Sequence, residues 1–173
     1  MESPIPYGTV VSDADTRTIS FPLRFPQPVE EVWAAVATPE GLPGWLAAAD
    51  PFERHEGGAI TLRWLNADEN GRSTVAPGRV TGWGPTRLAE YTVDVHGRIR
   101  FETAPDPDRP SGTRLRFTNE LVTPDSAVIA NLAGWHQHFE YLAAALAGRP
   151  IDWSTWNLAR WRALYEEYDR GAG

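Results

Sequence analysis

"SAVIANLAGWHQHFEYLAAALAG" (126–148) is the stretch whose reading decides the fold. Val128, Leu132, Trp135, Phe139, Leu142 and Leu146 step by four, three, four, three and four. That spacing draws one apolar stripe along a helix of about five turns. Gly148 and Pro150 stop it, since glycine takes the left-handed C-terminal position and proline cannot continue a helix. The pattern predicts one continuous helix over 126–147, with Trp135 and Phe139 buried.

Upstream, the period changes from that of a helix to that of a strand. "TRTISFPLRFP" (16–26) alternates and is rich in β-formers, so it reads as a strand ended by Pro26. "PVEEVWAAVAT" (28–38) starts with proline in the first helical turn, followed by Glu30 and Glu31 near the positive helix end. "PEGLPGWLAAAD" (39–50) reads as a short broken helix carrying Trp45. Residues 52–65 read as two strands around Gly57-Gly58, and further strands are expected over 73–83, 87–95, 98–103 and 113–121. "APDPDRPSG" (104–112) is expected as a loop. In the last two strands Ile99, Phe101, Leu115, Phe117, Asn119 and Leu121 face one way, while Arg98, Arg100, Glu102, Arg114, Arg116 and Glu120 face the other. That is an antiparallel sheet with one buried and one solvated face. A long helix after such strands points to an α+β fold with the helix laid across the sheet. "DWSTWNLARWRALYEEYDR" (152–170) reads as a further helix with Leu158, Trp161, Tyr165 and Tyr168 on one face. The expected organisation is a tail over 1–15, one domain over 16–149 and a helical extension over 150–173.

Composition narrows the function. The net charge of −7 argues against nucleic acid, whose phosphates require a basic footprint. All 16 basic residues are arginine, which excludes a Schiff-base lysine. With no cysteine, thiol catalysis, disulfides and cysteine-held metals are excluded. The N-terminus lacks the pattern of a signal peptide, and no apolar run reaches the roughly 20 residues of a membrane span, so the expected location is the cytoplasm, without membrane insertion.

At about 100° per residue, His136 lies about 60° from Phe139 on the flank of the stripe, and His138 about 100° to the other side. The two diverge and have no spacing of three or four, so no metal and no cofactor is expected. His138 is expected in solvent. His136 reads either as a hydrogen-bonded core histidine or as a ligand-contacting or acid–base group. Asn119, the polar member of an apolar strand face, reads either as a residue bonding nearby backbone or as a polar anchor in a cavity. No G-x-S-x-G elbow and no phosphate-binding glycine loop is present.

Several strings occur together, and in order, that resemble one family. "PVEEVWAAVATPEGLPGWL", "HEGG", "GRVTGWGPTRLAEYTV", "SGTRLRFTNEL" and "AGWHQHFEYLAAALAG" are similar to the successive motifs of the SRPBCC (START-like) superfamily, in its heat-shock protein 90 ATPase activator-homologue branch. Asn119 departs from the histidine common there, and 150–173 lies beyond the usual end of the domain. The resemblance implies a helix-grip (START/Bet v-like) fold: a curved antiparallel sheet wrapped around the long C-terminal helix, with a cavity between them. It implies binding of a small, largely apolar molecule, lipid-, polyketide- or aromatic-like. A cyclase, dehydratase or hydrolase acting on a polyketide-like substrate, and a stress- or chaperone-linked interaction module, are the alternatives. A homodimer or a protein partner would use the extension. In that fold the expected cavity lining is Trp45, Trp64, Tyr91, Phe101, Asn119, Trp135, His136 and Phe139.

Overall fold

The alternation of β2 (Thr16–Phe25) sends Ile19, Phe21, Leu23 and Phe25 to one side, where all four are buried. That strand is the seam of the sheet. Its partner on one side is β1 (Thr9–Asp13) and on the other β8 (Arg109–Val122), both antiparallel. The computed structural model describes residues 5–67 and 70–171. Among these, the remaining elements are α1 (Val29–Ala37), a 3-10 turn (Leu42–Gly44), β3 (Ala47–Phe52), β4 (Ala59–Trp64), β5 (Val75–Gly84), β6 (Leu88–Val93), β7 (Gly97–Asp106), α2 (Asp125–Leu146), a second 3-10 turn (Trp153–Thr155) and α3 (Ala159–Asp169).

The strands form one eight-stranded antiparallel sheet in the order β1-β2-β8-β7-β6-β5-β4-β3. After β2, the chain crosses by way of α1 to the far edge. It then meanders back, strand by strand, until β8 lies beside β2. α2 follows directly and packs its stripe on the sheet, so the helix-grip arrangement is the one observed.

α2 is one unbroken helix of 22 residues. Val128, Leu132, Trp135, Phe139 and Leu142 are buried along it, and Leu146 is partly buried. It ends in a Schellman motif: Gly148 has φ +86°, Arg149 N–H reaches the Ala144 carbonyl at 2.8 Å, and Gly148 N–H reaches that of Ala145 at 3.0 Å. The core is a set of rings around Phe139, whose centroid lies 5.0 Å from Phe21, 4.8 Å from Phe117, 5.8 Å from Trp135 and 6.0 Å from Trp45. Trp45 Nε1 donates to the Ala35 carbonyl and the Tyr91 hydroxyl to that of Val36, each at 2.8 Å. These two bonds fasten the end of α1 to the ring cluster.

Five expectations are corrected. The tail contributes β1, and residues 47–52 leave the broken helix early to form the opposite edge strand β3. The loop over 104–112 is mostly strand. Asp106 pairs with Arg109, and its Oδ1 accepts from Asp108 N–H at 2.9 Å, so two residues suffice for the turn. The terminal helix is split. Asp152 Oδ1 accepts from Ser154 N–H at 3.0 Å and Asn157 Oδ1 from Ala159 N–H at 2.9 Å. Such side-chain bonds compete with the helical ladder, and α3 starts only at Ala159. Pro28 stands at the N-cap of α1 rather than in its first turn. Among the described residues, no helix is long and apolar enough to cross a membrane.

Candidate functional site

A pocket of about 290 Å³ opens between the end of β4, the β6–β7 turn, one flank of α2 and the C-terminal extension. β4 supplies Trp64, and the turn supplies His96, whose ring stacks on the indole at a centroid distance of 4.2 Å and 21°. α2 supplies Trp135 and His138. The extension supplies Trp156, Leu158 and Trp161. Four indoles therefore share one cavity.

Trp135 is aimed by a hydrogen-bond relay. Its Nε1 donates to Asn119 Oδ1 at 3.1 Å, and Asn119 Nδ2 donates to the carbonyls of His96 and Arg98 at 2.7 and 3.0 Å. Asn119 is fully buried and does not line the pocket. It ties α2 to the β6–β7 turn, which combines its two sequence readings: it bonds nearby backbone and it anchors a cavity wall. Asn119→Ala would leave an indole N–H without its acceptor and two carbonyls without this donor. It should cost about 1–3 kcal/mol in chemical denaturation and shift the emission of Trp135.

His138 corrects a further expectation. It is 5% exposed rather than solvated, and its Nδ1 donates to the Trp45 carbonyl at 2.9 Å. The stripe's angle places it off the sheet-facing side, but the 3-10 turn and Trp153 of the extension cover that flank, the Trp153 ring standing 6.1 Å away. With Nδ1 carrying the proton, Nε2 is a bare acceptor. Burial, opposed in part by the bond to Trp45 and aided by the nearness of His96, pushes the His138 pKa down to about 4. Burial likewise pushes His96 down to about 4. Both rings are neutral at neutral pH.

Two polar atoms of the pocket are buried without a hydrogen bond: His96 Nε2 and Asn66 Oδ1. Trp156 Nε1 also makes no hydrogen bond of good geometry, although it is near enough to the Tyr141 hydroxyl to act on it. Orphaned polar atoms in a largely apolar cavity carry a desolvation cost that a bound partner removes.

His136 faces elsewhere. Its Nδ1 accepts from the Tyr168 hydroxyl at 2.8 Å, and that hydroxyl in turn accepts from Gly8 N–H at 2.8 Å. Arg160 clasps Glu140 through two bonds of 2.9 and 2.6 Å. This cluster seats α3 on α2. Burial lowers the His136 pKa, against the pull of Glu140.

Of the eight residues expected to line one cavity, the structure brings Trp64 and Trp135 to the pocket and places Asn119 behind them. Trp45, Tyr91, Phe101 and Phe139 pack on one another in the core, with Trp45 and Tyr91 centroids 6.0 and 6.2 Å from Phe101. His136 joins the α3 seat. Sequence reading missed Asn66, His96, His138, Trp156 and Leu158. The available signal was the recurrence of tryptophan beyond the stop at Gly148. Among the described residues, no three histidine or carboxylate side chains converge as a metal site would require.

Residues 26–147 match the family described as activator of Hsp90 ATPase homolog 1-like protein. The chain belongs to that family. The match, to a family of the SRPBCC superfamily, ends before Trp156, Leu158 and Trp161, which complete the wall of the pocket. Solved structures share the fold. A protein of Bordetella parapertussis is 25% identical, covering 98% of this chain and 93% of that one at a TM-score of 0.66. CalU16 from Micromonospora echinospora is 15% identical, covering 95% and 91%, also at 0.66. A Rhodobacter sphaeroides protein is 23% identical, covering 82% and 98% at 0.64. No curated protein matches the chain.

Proposed function

We propose that this protein binds a small, largely apolar, aromatic-like molecule in the pocket between the sheet, α2 and the extension. The observation that carries the reading is the meeting of four indoles with His96 Nε2 and Asn66 Oδ1, both buried and unpaired. Indole faces supply area burial and ring stacking. The polar atoms supply orientation. Asn66 Oδ1 and the bare Nε2 of His138 both accept, so the favoured ligand brings at least one O–H or N–H donor. Two neutral histidines suit an uncharged ring, and Arg72, which also lines the pocket, already has a partner of its own.

The test compares 2-naphthol with 2-methoxynaphthalene, which has the same rings without the donor. Tryptophan fluorescence should report saturable binding of 2-naphthol at tens of micromolar, and weaker binding of the ether by about fivefold to tenfold. Trp161→Ala and Trp156→Ala should each weaken both probes. Binding only at millimolar concentrations, or binding indifferent to both substitutions, would remove this reading.

A further inference from the structure

The solvated face of the sheet carries a second concavity, a groove of about 330 Å³ flanked by Arg87, Arg114 and Arg116. All three arginines are exposed, and none makes an ion pair among the described residues. The chain as a whole has a net charge of −7, yet the carboxylates around this groove are paired with arginines other than these three, Glu102 and its partner Arg100 both lining the groove as one ion pair. Glu102 stands opposite Arg116 in the strand register, but its carboxylate is held by Arg100 at 2.6 Å. Glu90 also goes to Arg100, at 2.8 Å. Asp106 and Asp108 both go to Arg24, at 3.2 and 2.8 Å, and Glu120 goes to Arg98 at 2.6 Å.

Arg24 and Arg114 are directly opposed on neighbouring strands. Like charges in that position destabilise a sheet pair. Asp106 and Asp108 offset the charge of Arg24, whereas Arg87, Arg114 and Arg116 stand around the hollow without an ion pair among the described residues, on a protein that is acidic overall. Guanidinium forks match the oxygens of carboxylates and phosphates in pairs, with directional hydrogen bonds that a lone ammonium does not reproduce.

We infer that this groove is a binding site for a small, multiply charged oxyanion, held between Arg87, Arg114 and Arg116. It lies on the face of the sheet opposite the tryptophan-walled pocket, and it stands whether or not that pocket binds an apolar ligand. The shared chemistry is a cluster of anionic oxygens, which a phosphoryl compound or a polycarboxylate can supply.

Calorimetric titrations of the full chain with pyrophosphate and with citrate, at low ionic strength, test it and separate the two sources. At least one should bind saturably at one site with a dissociation constant below about 1 mM. The Arg114→Gln/Arg116→Gln double variant should lose that binding by more than tenfold. Arg116→Lys, which keeps the charge and loses the fork, should weaken it several-fold. Arg79→Gln, on the same face but outside the groove, should leave it unchanged. The double variant should melt no lower than wild type in the absence of anion, since like charges are removed. Absence of saturable binding by either anion, or an equal loss in Arg79→Gln, would overturn the inference.

Discussion

Phe139→Ala should lower the free energy of unfolding by about 3–5 kcal/mol. The ring is fully buried and is the common neighbour of Phe21, Trp45, Phe117 and Trp135. It belongs to the helix, as does Trp135, while its other neighbours come from β2, the segment after α1, and β8. Truncation therefore removes the contact that locks three parts of the chain together, and close-packed rings relax only partly into the space left behind. Denaturation in urea should show a lower midpoint with an unchanged slope, because the native and unfolded states expose nearly the same surface as before. A loss under about 1 kcal/mol would mean that the stripe of α2 is not the centre of the core.

Acid should weaken the fold before most carboxylates are protonated. His138 and His96 are held near a pKa of about 4 in the folded chain, below the ordinary histidine value. The unfolded chain therefore binds protons that the folded chain refuses. Stability from this source is fully present above about pH 6.5, falls as the pH drops toward about 4, and levels off below that. Between about pH 7 and about pH 5, His138 alone should account for roughly 2 kcal/mol, and His96 steepens the same slope. His138→Asn keeps a side-chain N–H in reach of the Trp45 carbonyl and removes the titrating ring. Unfolding free energies measured at several pH values should show a clearly shallower acid slope in that variant. Equal slopes would mean that His138 is not held neutral by burial.

The parts of the fold legible in the sequence were those with one strongly buried face. α2 showed its period because Val128, Leu132, Trp135, Phe139 and Leu142 all meet the same sheet. β2, β7 and β8 alternated because one side is core and the other solvent. The two edge strands were silent for opposite reasons. β1 is exposed at all five positions, so no alternation is imposed on it. β3 buries only the small side chains Ala47 and Ala49, which carry no strand signature.

The site was less legible because periodicity gives an angle around a helix and not what covers that angle. His136 and His138 flank the same stripe. α3 lies over one and the 3-10 turn with Trp153 over the other, and only the second arrangement borders a cavity. Likewise Trp45, Tyr91 and Phe101 come from segments that do converge on α2, but rings that meet face and edge fill the space between them. The cavity survives only toward Trp64, where the helix and the turn diverge and the extension closes the gap.

The most direct test of the binding account is a crystal structure of the protein soaked with 2-naphthol. The account places the naphthalene rings among Trp64, Trp135, Trp156 and Trp161, with the hydroxyl within hydrogen-bond distance of Asn66 Oδ1, His96 Nε2 or His138 Nε2. Density for the probe elsewhere on the molecule, with those four indoles and three polar atoms unchanged and untouched, would contradict it.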